Sequence, residues 1–462
     1  MPNDNKPRLR PRERDAIIQS LRAGVTPRTG LQHIQVGRAR EVAALLKDIE
    51  RIADGGSAIR FIIGEFGSGK SFFLQLIRTI ALEKGLVTIH ADLSPDRRLH
   101  ATWGRARNLY AELLRNLSTR TKPDGNGLTS VVERFITEAR RQADASGERV
   151  DVVIEARLDH LSELVGGYDF AQVIKAYWDG HERDNEQRKY DAIRWLRGEF
   201  TTKTDARNAL GVRTIIDDAS VYDHLKLFSL FVRQAGYAGL LVNLDEMVNL
   251  YKLVNRQARL SNYEQILRIL NDCLQGSAEY IGFLLGGTPE FLLDPRKGLY
   301  SYEALHSRLA ENAFARNAGV IDYSSPTLHL ANLAPEELLI LLKNLRHVYA
   351  SGDTGKYLLP DEALTAFLAH CSQRIGDAYF RTPRNTIKAF VDLLAVLEQN
   401  PDLQWTQLIK QVHLEKERNT DMPEVSGMDK VGVGAPAGGN VGSGTDIDNG
   451  DRGEDGLATF RL

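Results

Sequence analysis

The residue types and spacing with the clearest chemistry in this 462-residue chain lie in one glycine-rich run, Gly64-Glu65-Phe66-Gly67-Ser68-Gly69-Lys70-Ser71, followed by Phe72. The run fills every position of the pattern G-x-x-x-x-G-K-[ST]. Glycines let successive backbone N–H groups turn inward around phosphate oxygens, and a helix starting near Lys70 adds the positive end of its dipole. On this reading the chain binds ATP: Lys70 reaches the β- and γ-phosphates as a point charge and Ser71 ligates Mg²⁺. The competing reading is a glycine-rich turn that matches by chance. A strand expected before the run and a helix expected after it argue against chance.

A second set of groups lies far along the chain. The apolar residues of 240–244 run into Asp245-Glu246, which puts two carboxylates at the C-terminal end of a strand, where an open α/β sheet binds its ligand. Asp245 would hold Mg²⁺ through water and Glu246 would polarise the attacking water as a general base. The plain alternative is a buried strand ending in an acidic cap. Val152-Val153-Ile154-Glu155 is a rival run without the Asp. Thr288, after a strand expected over 281–285, either orients the water from the other side or is simply a turn residue before Pro289. Arg308 reads as an arginine finger acting in trans on a neighbouring copy, or as a solvated helix residue. Arg381 and Arg384 open a helix whose other face carries Ile387, Phe390, Val391 and Leu394. An arginine at a helix start opposes the dipole, and a phosphate nearby would compensate; a surface salt bridge is the alternative.

The elements that must position these groups follow from periodicity. Helices are expected over 12–21 and 41–53, a buried strand over 58–63 interrupted only by Arg60, a helix over 71–84 and a strand over 86–91 ending in Asp92. Strand, loop, helix, strand is the opening of a parallel α/β sheet. Residues 101–232 read as almost wholly helical and interrupt the sheet, which resumes at 239–246 and, after a helix over 263–274, at 281–285. Helical segments then follow over 335–349, 360–371, 383–397 and 405–412. No internal repeat is found.

Composition excludes several classes. With 42% hydrophobic and 26% charged residues the chain is globular material. No apolar stretch approaches the roughly 20 residues of a membrane span, and the charged N-terminus has no secretory h-region. Cys273 and Cys371 fall in helical patterns, so a disulfide framework or zinc site is not expected, and a cytoplasmic location is. A net charge of −2 argues against coating nucleic acid by bulk charge. That total is uneven, because from Thr420 onward 8 acidic and 3 basic residues give −5 and leave +3 elsewhere. The glycine-rich tail is expected to be disordered.

In this order the elements resemble an AAA+ ATPase of the initiator-loader type. The resemblance implies that Val36-Gly37-Arg38 is the N-terminal box beside the adenine, Thr288 sensor 1, Arg308 the arginine finger, and Arg384, with Arg381 the alternative, sensor 2 on a helical lid. The chain resembles more closely still the BrxD-like ATP-binding proteins of bacterial anti-phage cassettes. Carrying that likeness are Ser20-Leu21-Arg22-Ala23-Gly24-Val25-Thr26-Pro27-Arg28-Thr29-Gly30-Leu31, the phosphate loop through Leu74, residues 238–246, Gly286-Gly287-Thr288-Pro289-Glu290 and Thr382-Pro383-Arg384. It spans about 17–412, and the last helices end too soon for the winged-helix domain that many initiators carry. The family implies a defence role, as in BREX systems and in smaller cassettes such as Shango that pair an ATPase with a TerB-like protein and a helicase. The separation between Lys70 and Asp245 is much longer than in compact AAA+ domains, which the helical insertion explains; that insertion is expected to form a partner or nucleic-acid surface, or a lid on the core.

The expected architecture is therefore an N-terminal arm (1–35), an AAA+ type α/β core (36–100 and 233–330), a helical insertion (101–232), a helical lid (331–415) and a tail (416–462). The expected function is ATP hydrolysis in a homo-oligomer within an anti-phage complex acting on DNA, bound directly or through a partner, with no membrane role. A nucleotide-gated scaffold with negligible turnover is one rival reading. A small-molecule kinase is the other, and that class usually lacks both the Asp-Glu pair and the lid arginine.

Overall fold

In the computed structural model, which describes residues 9–375 and 383–411, the short apolar runs become strands of one parallel sheet. After helices α1 (Pro11–Arg22) and α2 (Ala39–Ala53), strand β1 (Ser57–Ile63), helix α3 (Lys70–Glu83) and strand β2 (Val87–Asp92) form the first βαβ unit. Between β2 and β3 the chain is helical, in α4 (Arg105–Arg115), α5 (Leu128–Ser146), α6 (Val150–Ser162), α7 (Gly167–Glu182), α8 (Glu186–Leu196), α9 (Lys203–Leu210) and α10 (Val221–Gln234). Strand β3 (Leu240–Asp245) is followed by α11 (Val248–Tyr251) and α12 (Arg256–Gln275). Strand β4 (Ile281–Gly287) is followed by α13 (Pro289–Leu293), α14 (Glu303–Leu309) and α15 (Ala313–Asn317). Strand β5 (Thr327–His329) leads to α16 (Pro335–Tyr349), α17 (Asp361–Ile375), α18 (Pro383–Gln399) and α19 (Trp405–Gln411).

The strands run in the order β2-β3-β4-β1-β5, with every pairing parallel. Alternation along the strands feeds two cores. Phe61, Ile89, Val242 and Phe283 face the helices of 105–275, whereas Ile62, Leu241 and Leu284 pack with Leu45, Ile49 and Ile77 of α2 and α3. Each such side chain is buried, contributing roughly 1.5–3 kcal/mol. A third core joins Ile17 of α1 to Leu342, Phe367 and Phe390 of the C-terminal helices. Arg60, the one charge in β1, is buried because it forks onto Asp48 of α2 (2.6 Å) and reaches the carbonyls of Tyr323 (3.1 Å) and Ser325.

The structure removes one rival and adds one strand. Val152-Val153-Ile154-Glu155 lies within α6, so its β-branched run packs as a helix face and presents no strand-end carboxylate. Strand β5 was hidden by its length: three residues give no periodicity to read. Arg381 and the tail expected over 416–462 lie outside the described residues. Among the described residues no helix is long and apolar enough to cross a membrane.

Candidate functional site

The glycine-rich run connects β1 to α3, and the first helical residue is Lys70. Its ammonium donates to the carbonyls of Gly64 and Glu65, each at 2.8 Å. Burial lowers the Lys70 pKa, opposed by the charges of Asp245 and Glu246. A Cβ at Gly64 would meet Ser68 Oγ at 2.5 Å, so a larger residue there would force the Ser68 hydroxyl to move. Ser68 is 4% exposed and its hydroxyl has no hydrogen-bond partner. An orphaned buried hydroxyl costs about 1–3 kcal/mol, and an oxyanion in the loop is one group that would satisfy it.

Strand β3 delivers the second set of groups. The Ser71 hydroxyl donates to Asp245 Oδ2 at 2.7 Å, joining the start of α3 to the end of β3. Asp245 Oδ1 accepts from the Glu246 N–H at 2.8 Å. Gly286 on β4 lies under this carboxylate, and a Cβ there would sit 2.4 Å from Asp245 Oδ1. Glu246 leaves the strand with a φ of +57°. The residue as a whole reaches solvent, but the cleft walls withdraw water from its carboxyl. That burial, ahead of the charges of Asp245 and Asp92, holds its pKa above the ordinary glutamate value. Asp92, level with Asp245 on the neighbouring strand, is raised by burial first and then by Asp245.

These groups open onto a cleft of about 210 Å³ whose apolar end includes Ile34, Val36, Leu333, Leu341 and Ile387. Val36 and Arg38 line it, and Arg38 caps α2 while bonding the Ala331 carbonyl. Gly37, between them, abuts the Glu337 carboxylate. From α18, Arg384 lines the same cleft and lies over the Phe66 ring at 5.6 Å; Phe72 and the phosphate loop from Phe66 to Ser71 complete that wall. Thr288 and Arg308 do not line it. The Thr288 hydroxyl caps α13 by accepting from the Phe291 N–H at 3.5 Å, and Arg308 is exposed, bonded to Asn271 (2.9 Å) and the Ala304 carbonyl (2.8 Å).

Sequence reasoning gave no role to two contributors. Gly24, Val25, Thr26 and Pro27 cross the cleft, with the Arg28 carbonyl held by Gln75 of α3 at 3.3 Å; this segment carried part of the family likeness but no assigned role in the site. Asp92, together with Arg28, His90 and Asn243, lines a smaller cavity of about 170 Å³ that also reaches Ser71 and Asp245. Among the described residues no group of three or more His, Cys, Asp or Glu side chains is arranged to hold a metal. A hydroxyl and a carboxylate at 2.7 Å nonetheless fit Mg²⁺, which retains several waters and takes further oxygens from phosphates.

A family model described as BREX system ATP-binding protein BrxC/D matches residues 9–413. No curated protein matches the chain. The match covers most of the chain, which belongs to this family and is an ATP-binding protein of a BREX system.

Proposed function

From membership of that family and the geometry around Lys70, we propose that the protein is an AAA+ ATPase of a BREX phage-defence system, hydrolysing ATP to drive assembly or conformational change of a DNA-acting complex. The observation that carries this reading is the 2.7 Å hydrogen bond from Ser71 to Asp245, which joins a phosphate loop to a strand-end carboxylate immediately followed by Glu246. Lys70 and the loop amides hold the β- and γ-phosphates. Ser71 and Asp245 would hold Mg²⁺, and the ion would supply charge neutralisation at the phosphates. Glu246 accepts a proton from the attacking water, and its raised pKa brings it nearer the working range of a general base.

Val36, Gly37 and Arg38 flank the adenine. The helices α16–α19 act as a lid whose Arg384 senses the phosphates; the proximity of Arg384 to Phe66 supports this. Helices α4–α10 are an insertion in the core. Arg308, exposed and outside its own cleft, serves a neighbouring copy in a homo-oligomer. A TerB-like protein and a helicase are the partners suggested by the resemblance. The site is tested by Glu246→Gln. Phosphate release should fall by about 10²-fold or more with ATP binding retained. Absence of turnover in the wild type, with DNA and partners supplied, would leave the nucleotide-gated scaffold instead.

A further inference from the structure

The most exposed large apolar side chains outside the cleft are Val254 (98%) and Trp103 (91%), and both lie on loops that leave the strand ends of the candidate site. The loop after β2 carries Arg97, Arg98, His100 and Trp103, and the first turn of α4 adds Arg105 and Arg107, with no carboxylate from 97 to 107. The segment from 252 to 260, which leaves α11 and opens α12, carries Lys252, Arg256 and Arg259, again with no carboxylate. Asn262 of α12 stitches the two together, accepting from the His100 N–H (2.9 Å) and donating to the His100 carbonyl (2.8 Å).

Not every arginine is available. Arg97 lies 3.4 Å from Glu112, Arg107 reaches the Phe200 carbonyl and Arg259 the Leu253 carbonyl. Arg105 has a loose contact with exposed Asp96 at 3.8 Å, and its own carbonyl accepts from the Arg98 N–H at 3.4 Å. Trp103 is held at a φ of +66°, a backbone state bulky residues seldom adopt. We infer that Trp103 and the basic loops around it form a binding site for single-stranded DNA, in which an unpaired base stacks on the Trp103 indole and Arg105 and Arg256 meet phosphates. An indole gains its stacking energy only from a base face that pairing has left free, and such stacking tolerates any sequence. Exposed tryptophans also anchor protein interfaces. Here the nearby carboxylates are engaged, Asp218 by the N–H groups of Gly104 (2.7 Å) and Arg107 (2.8 Å) and Asp96 by Arg105, and the arginines outnumber them, so the rim complements a polyanion.

The site is joined to the end of β3 that carries Asp245. The Leu93 N–H, where the first loop begins, donates to the Asp245 carbonyl (3.0 Å), and Asn249 of α11 donates to the Leu93 carbonyl (2.8 Å). The coupling rests on the ATPase reading; DNA binding does not. The test is a fluorescence-anisotropy titration of a labelled oligo-dT strand with the full chain at two salt concentrations, comparing wild type, Trp103→Ala, Trp103→Phe and Arg105→Ala, with a fluorescent ADP analogue as the folding control. Trp103→Ala should weaken binding about tenfold with an unchanged salt slope. Trp103→Phe should keep most of the affinity, and Arg105→Ala should lower the slope by about one. Oligo-dT that fails to bind wild type, or binds Trp103→Ala as tightly as wild type, overturns the proposal, as does a preference for duplex that Trp103→Ala leaves intact. Those outcomes leave the Glu246→Gln result, and with it the ATPase reading, untouched.

Discussion

Glu246 must be ionised to accept a proton, so its titration should be visible in the rate. Because its pKa is raised by burial and by the charges of Asp245 and Asp92, activity should fall as pH drops through a value above the ordinary carboxylate range. Asp92→Asn removes one of the charges that raise it. The acid limb of log kcat/KM against pH should then move to lower pH, and an unmoved limb would separate Asp92 from the reaction. At this scale the sequence was informative where residue type and neighbours agree: Asp245 and Glu246 stand out because an apolar run delivers them to a strand end. Asp92 ends a strand in the same way, yet a lone aspartate before a loop is also an ordinary turn residue. Its importance comes from lying level with Asp245, which is a fact of sheet order.

Strands and helices translate those positions into a site. Arg60 shows how firmly: inside β1 it binds Asp48 of α2 and the carbonyls that lead into β5, tying three elements around the start of the phosphate loop. Arg60→Ala would leave Asp48, 4% exposed, without this partner. The expected loss is roughly 3 kcal/mol, measured as a lower denaturant midpoint; a change within about 0.5 kcal/mol would show the pair to be dispensable. Most elements were legible because apolar runs bounded by glycines and amphipathic repeats are long enough to count. Residues 152–155 offered a rival because β-branched residues favour strands in isolation, but they lie in the stretch expected to be helical, and Val153 and Ile154 pack inside a helical layer. Strand β5 exists because the edge of β1 is there to receive it.

Across the whole molecule, the cleft draws on segments from both ends of the described chain. Gly24 to Pro27 follow α1, α18 contributes Arg384, and the phosphate loop lies between them. The Arg22–Asp392 ion pair (2.9 Å) links α1 to α18. None of this closeness is written in local pattern, so the segment after α1 had no assigned place in the site. If Arg384 meets the phosphates, Arg384→Ala should raise the KM for ATP about tenfold, and an unchanged KM would confine it to packing on Phe66. Arg308, placed outside its own cleft, makes a different prediction. Arg308→Ala and Glu246→Gln chains should each be inactive alone and should recover part of the activity when mixed, because one supplies the base and the other the arginine. Mixtures as inactive as their components would argue against a shared site.

The most direct measurement is single-turnover hydrolysis of γ-labelled ATP by wild type and Glu246→Gln at saturating protein, with bound nucleotide quantified in the same samples. The account predicts labelled phosphate from the wild type and intact, stoichiometrically bound ATP on the variant. Equal hydrolysis by both proteins would contradict it.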